Sequence, residues 1–289
     1  MKMIKPIVNI SKIIDGYDVI IVGLEGVICE GASFRVDAIN ALLNMKKLGK
    51  KIILLSNSSM RISEVLSLFK ANKLPALVFD RIITAGEILH YLFKSSKSSF
   101  SALGKKYYNL GNPQDEQIFE NLSDYKQTHS LAQADFLFMG RVKNEDDSLE
   151  SYVPTLSQAA SMSIPLVAVG NDLATFAGIE KPVLAAGAIA EQYAALGGRI
   201  LTIGKPSRLV FDYALEDTNF VPEQTLLIGD SITSDIRGAN LAGIPSVLVS
   251  KGIHINYLGE GYIPDVTKTR ELASNYDVYP DFVVSCLRW

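Results

Sequence analysis

Hydrophobic positions along the chain follow two alternating patterns. Short unbroken apolar runs occur at Val19-Ile-Ile-Val22, from Lys51 to the polar end Ser56-Asn57 in "KKIILLSNSS", and at Leu226–Ile228. Such runs read as strands buried on both faces of a parallel sheet. Between them, Val36–Leu48 (ended by Gly49), Arg61–Ala71 and "AGEILHYLFK" carry apolar residues at helical spacing. Strands alternating with helices predict βαβ units and an α/β fold around a Rossmann-like parallel sheet.

After Phe93 the pattern changes. "KSSKSSFSALGKK" reads as a solvated, serine- and lysine-rich connector. Strands are then predicted at Lys106–Leu110, Asp135–Met139 and Leu166–Val169. Before the last of these comes a helix in "DDSLESYVPTLSQAASM", with Asp146-Asp147 near its positive end and Pro154 in its first turns. Beyond Gly197-Gly198 the first pattern returns. Strands are predicted at Arg199–Ile203, Thr225–Ile228 and Ser246–Val249, and helices at Arg208–Leu215 and Ile236–Leu241. The chain is therefore expected to build one core domain from residues 1–84 and 197–289, with an inserted α/β domain at 85–196.

Composition narrows the class. Hydrophobic residues make up 48% of the 289, enough for a sizeable core, and the net charge of −3 argues against a nucleic-acid surface. No apolar run reaches the roughly 18–20 residues that would span a membrane. Cys29 and Cys286 lack metal-type spacing and read as reduced thiols of a cytoplasmic protein. His90, His129 and His254 have no sequence neighbours of metal-ligand type and are expected to be structural or exposed.

Four polar clusters follow predicted strands. Ser56-Asn57 offers a hydroxyl and an amide suited to phosphoryl oxygens, and equally suited to a turn or helix cap. Lys205, before Pro206 in "IGKPSRLVF", can offset negative charge on a bound group, or lie on the surface. "LLIGDSITSDIRGANLAG" is the most specific: Gly229 permits a tight turn, and Asp230 and Asp235 are oxygen donors of the kind a hard cation such as Mg²⁺ takes. Otherwise Asp235 caps the next helix and Asp230 solvates a loop. The fourth cluster is "VGLEGV", where Val19–Val22 ends on Gly23 and Glu25.

In this order the clusters resemble the motifs of the haloacid dehalogenase superfamily, in its class IIA branch with a large α/β cap between the second and third motifs. The second motif is Ser56-Asn57, the third Lys205, and the fourth Asp230 with Asp235. "VGNDLATFAG" and "LAAGAIAEQYAALGGRILTIGKP" resemble the cap's substrate-side segment. Relatives there carry Asn-Pro-Asp, whereas this chain has Asn171-Asp172. The resemblance implies a phosphate site at Ser56, Asn57 and Lys205. It also implies Mg²⁺ held by Asp230, Asp235 and the Glu25 backbone carbonyl, a small phosphorylated metabolite as ligand, and a homodimer formed through the cap.

The first motif departs from the family's Asp-x-Asp-Gly. Gly23 stands where the nucleophilic aspartate would be, and Glu25 at the general acid/base position. Loss of a covalent nucleophile can remove up to about 10⁶ in turnover, roughly 8 kcal/mol of barrier. Three functions are therefore open: a catalytically impaired scaffold with a retained phosphate pocket, a working Mg²⁺-dependent phosphomonoesterase using Glu25 or Asp230, and a structural or partner-binding protein. On the first, Lys205→Ala is expected to abolish the phosphate-induced melting shift while leaving the free protein's melting temperature nearly unchanged.

Overall fold

The computed structural model describes residues 3–75, 78–95, 99–176, 182–216, 218 and 221–289. Seven strands form one parallel sheet, in the spatial order Lys5–Pro6, Phe282–Val284, Ser246–Val249, Thr225–Gly229, Val19–Gly23, Lys51–Ser56 and Arg81–Thr84. The apolar runs are continuous because both faces of this sheet are covered. Residues alternate between two cores: Ile21, Ile53 and Leu227 pack on one side, and Ile20, Ile52 and Leu226 on the other.

A second parallel sheet has five strands, in the order Ile200–Ile203, Leu166–Val169, Phe136–Met139, Lys106–Asn109 and Lys126–Gln127. The strand Lys126–Gln127 is only two residues long and exposed, so no apolar run marks it in the sequence. Ile200–Ile203 corrects the expected layout. Placed with the core by its position after the glycines, it pairs instead along its whole length with Leu166–Val169. We accordingly propose that the inserted unit extends to Ile203 rather than ending at 196.

The connector after Phe93 is more ordered than its composition suggests. Residues 96–98 lie outside the described residues, but Ser99–Ala102 forms a 3₁₀ turn, and buried Phe100 meets Phe93 edge-on at 5.8 Å. Pro154 falls inside the helix Leu149–Ser161, one turn later than a proline that needs no partner. Among the described residues, no helix is long and apolar enough to cross a membrane.

Three features of this layout position the polar clusters. The central strands Val19–Gly23 and Thr225–Gly229 are neighbours, with Val22 beside Ile228, so both of their trailing loops emerge at the same edge. Lys51–Ser56 pairs on the other side of the first, with Gly23 beside Leu55. The chain returns from the second sheet through Gly204, at φ 140°, directly into Lys205.

Candidate functional site

At the carboxyl edge of the seven-stranded sheet, the turn after Val19–Gly23 folds tightly over the end of Thr225–Gly229. Gly26 has φ 73°, and a Cβ there would lie 1.8 Å from Asp230 Oδ2. Only glycine admits both the left-handed backbone and this close approach. Asp230 is buried against that turn, and its Oδ2 accepts the Ile253 N–H at 2.7 Å.

Glu25 turns inward. Its Oε2 accepts the Ser56 hydroxyl at 2.8 Å, and the same hydroxyl oxygen accepts the Ser58 N–H at 3.0 Å. Asn57 is bonded at both ends of its amide. Its Oδ1 accepts the Lys205 N–H at 2.6 Å, while its Nδ2 donates to Lys205 O at 3.2 Å and to Asp172 Oδ2 at 2.8 Å. Asn171 donates to Lys205 O at 3.0 Å and Gly204 O at 3.3 Å. The Lys205 ammonium reaches Leu55 O at 3.1 Å and Asp235 Oδ1 at 2.6 Å.

Asp235 does not merely cap the next helix. The helix Arg237–Ala242 follows a π turn, Ile232–Ile236, that carries Asp235 back under the sheet edge. There its Oδ2 accepts the N–H groups of Asp230 and Ser231, each at 3.2 Å. Asp235 is 3% exposed and Lys205 5%, so Lys205 is no surface lysine.

The electrostatics follow from four carboxylates, Glu25, Asp172, Asp230 and Asp235, converging on one ammonium. Burial raises the pKa of Glu25, with Ser56 and Lys205 opposing. Burial likewise raises Asp172, against the pull of Lys205. Asp230 is pushed up to about 8 by burial and by the charge of Asp235. Burial disfavours the charge on Lys205, but Asp235 and Asp172 more than compensate and raise its pKa.

These groups line a cavity of about 820 Å³ between the sheet edge and the insert. Its far wall includes Arg141, whose N–H and Nε donate to Asp115 at 2.6 and 2.8 Å. Asp115, 1% exposed, also accepts the Ser59 hydroxyl at 2.8 Å, tying the insert to the loop after Asn57.

A haloacid dehalogenase-like hydrolase model matches residues 17–243, and a HAD-hydrolase-like model matches 202–288. The chain belongs to the haloacid dehalogenase-like hydrolase family. Its insert is of the class IIA type. A haloacid dehalogenase-like hydrolase from Brucella suis superposes with TM-score 0.81 at 24% identity, covering 96% of this chain and 98% of that one. A 4-nitrophenylphosphatase from Thermotoga maritima gives 0.66 at 22%, covering 94% and 95%. The sugar-phosphatase AraL of Bacillus subtilis is 25% identical over 244 residues, 81% of this chain and 83% of that protein. Phospholysine phosphohistidine inorganic pyrophosphate phosphatase of Xenopus laevis is 48% identical over 50 residues, only 18% of its length.

Every residue singled out in the haloacid dehalogenase motifs lies in this cluster: Gly23, Glu25, Ser56, Asn57, Asn171, Asp172, Lys205, Asp230 and Asp235. Sequence reasoning missed Ser231, whose hydroxyl donates to Asp172 Oδ1 at 3.3 Å; His254, expected to be structural or exposed, has a structural role, its Nε2 accepting the Ile232 N–H at 3.1 Å. Nothing near His254 in the chain signals that contact; Ser231 adjoins Asp230 and could have been read with it.

Phosphatases of this family generally use Mg²⁺, which makes the oxygen donors informative. Gly23 contributes no side-chain oxygen, and Asp235 is held by Lys205 and two amides. Asp230 and the Glu25 carbonyl remain, and among the described residues no three His, Cys, Asp or Glu side chains are grouped to hold a metal ion. This donor set does not make an octahedral magnesium site by itself.

Proposed function

We propose that this haloacid dehalogenase-like protein is a catalytically impaired phosphatase scaffold that binds a small phosphorylated metabolite. The observation that carries the reading is at Gly23. A Cβ built there would point into the site, 3.7 Å from Asp235 Oδ1 and 3.6 Å from Ile228 O, yet the residue has no side chain to attack phosphorus. The nearest replacement in sequence, Glu25, is bonded to Ser56 and has its pKa raised by burial, both unfavourable to a nucleophile.

Phosphate recognition is assigned to Ser56, Asn57 and Lys205, with Asn171 and Asp172 facing the ligand from the insert. Lys205 supports this assignment because it is fixed and protonated at the base of the cavity. Magnesium binding is expected to be weak, for want of donors. The ligand class rests on likeness to a sugar-phosphatase over most of the chain. We further assign the protein to the cytoplasm, in keeping with its free Cys29 and Cys286, and its self-association to the insert.

Hydrolysis of an aryl phosphate with Mg²⁺ tests the reading. Turnover at or near background is expected. Robust turnover that Asp230→Asn abolishes would instead make it a working phosphomonoesterase.

A further inference from the structure

One of the donors assigned to phosphate, the Asn57 amide, is already bonded to a carboxylate of the protein itself. Asp172 leaves the end of the second sheet and enters the cavity. One of its oxygens takes the Asn57 amide at 2.8 Å and the other the Ser231 hydroxyl at 3.3 Å. Two oxygens on one anionic centre, each held by a neutral donor, reproduce part of what a phosphate would present. Burial raises the Asp172 pKa, and the nearby charge of Lys205 opposes that rise.

The surroundings tie this carboxylate to the position of the insert. Asn171, beside it, donates to Gly204 O and Lys205 O, where the chain re-enters the core. Asp172 O accepts the Gly187 N–H, at the start of the insert helix Ala186–Ala195. A Cβ on Gly187 would lie 2.6 Å from Asp172 O, so the helix is pressed against this turn. The backbone that bears Asp172 is therefore held in place, and its carboxylate leaves Asn57 and Ser231 either by rotating its own side chain or with the turn.

We propose that Asp172 is an internal ligand of the phosphate pocket, occupying it in the free protein and setting the affinity for any external oxyanion. The inference rests on the phosphate-binding reading given above. An entering phosphate must displace Asp172 from Asn57 and Ser231, and while Asp172 stays ionised nearby it repels the newcomer. The site becomes a sensor of phosphorylated ligand, with the threshold set by one side chain.

Titration with orthophosphate and with orthovanadate, followed by calorimetry and by melting temperature, tests this in the native protein, Asp172→Ala and Asp172→Asn. Asp172→Ala frees both donors and removes the charge. Its affinity should rise at least about tenfold, the equivalent of one charge-assisted hydrogen bond no longer in competition. Asp172→Asn keeps an acceptor for Asn57 but lacks the charge, so a smaller gain is expected; it also serves if the alanine variant does not fold. Native binding that Asp172→Ala leaves within twofold, or weakens, overturns the internal-ligand inference alone. Absence of binding in the native protein and in both folded variants overturns the retained phosphate pocket as well.

Discussion

The Lys205 ammonium lies 2.6 Å from Asp235 Oδ1, and both side chains are almost wholly enclosed. Each holds the other's charge in a place where neither would be stable alone. Lys205 also donates to Leu55 O, and Asp235 accepts two backbone amides, so the pair joins three loops of the sheet edge. This pairing revises the expectation that Lys205→Ala would leave the free protein unaffected. Removing one member of a buried pair strands the other, at about 3–5 kcal/mol. At roughly 2–4 °C per kcal/mol for a chain of this size, the melting temperature should fall by about 6–20 °C. Urea denaturation of Lys205→Ala, with Lys205→Met/Asp235→Leu as the variant that removes both charges, gives the measurement. A single variant as stable as the native protein would contradict the buried-pair account.

Gly23→Asp should create Mg²⁺-dependent phosphatase activity. Gly23 lies outside the left-handed region that would strain an aspartate, and the nearest neighbour of a new Cβ is the Val27 Cγ2 at 3.3 Å, which needs to shift only slightly. The added carboxylate supplies both the nucleophile and a magnesium donor. Turnover of an aryl phosphate is expected to rise at least about 100-fold, a fraction of the roughly 10⁶ a nucleophile can supply. Glu25→Asp in addition should raise it further, by shortening a carboxylate whose misplacement by about 1 Å can cost 10²-fold. The same variant should be less stable without metal, because it adds a fifth carboxylate beside Asp235.

Gly26→Ala tests the turn that encloses Asp230. A left-handed backbone costs a non-glycine residue roughly 1–2 kcal/mol, and the methyl group would overlap Asp230 Oδ2. A loss of at least about 2 kcal/mol is expected from those two effects together. Gly49→Ala is the comparison: it shares a positive φ, 74°, but a Cβ there meets nothing within 4 Å. If both variants lose the same stability, the contact with Asp230 contributes nothing.

Stability should also decline in mild acid through His254. Burial pushes its pKa down to about 4 from 6.5, and its Nε2 must stay unprotonated to accept the Ile232 N–H. The unfolded chain therefore binds a proton that the folded one refuses as pH falls from about 6.5 toward 4. The stabilising contribution is complete above 6.5 and lost across that window. His254→Gln retains an acceptor but cannot titrate, so its stability should vary less between pH 6.5 and 4.5 in chemical denaturation. An unchanged profile would remove His254 as the cause.

The hydrophobic pattern was enough to place the strands Val19–Gly23, Lys51–Ser56 and Thr225–Gly229, because burial on both faces of a sheet demands continuous apolar runs. The spacing of polar residues after those runs was also enough to single out Ser56, Asn57, Lys205, Asp230 and Asp235. Each follows locally from where a strand stops. Strand partnership is a different kind of fact. Ile200–Ile203 has the same local character as a core strand, and only its register with Leu166–Val169 puts it in the second sheet. The environments of the charged groups depend on contacts equally remote in sequence. The Lys205–Asp235 pair spans 30 positions, the Asn57–Asp172 bond 115, and the His254–Ile232 contact joins a histidine to a backbone amide 22 positions away. Periodicity reports which face of an element is dry. It carries no information about which distant side chain closes over a donor, so the burial of Lys205 and the bond between Asn57 and Asp172 were decided by tertiary packing alone.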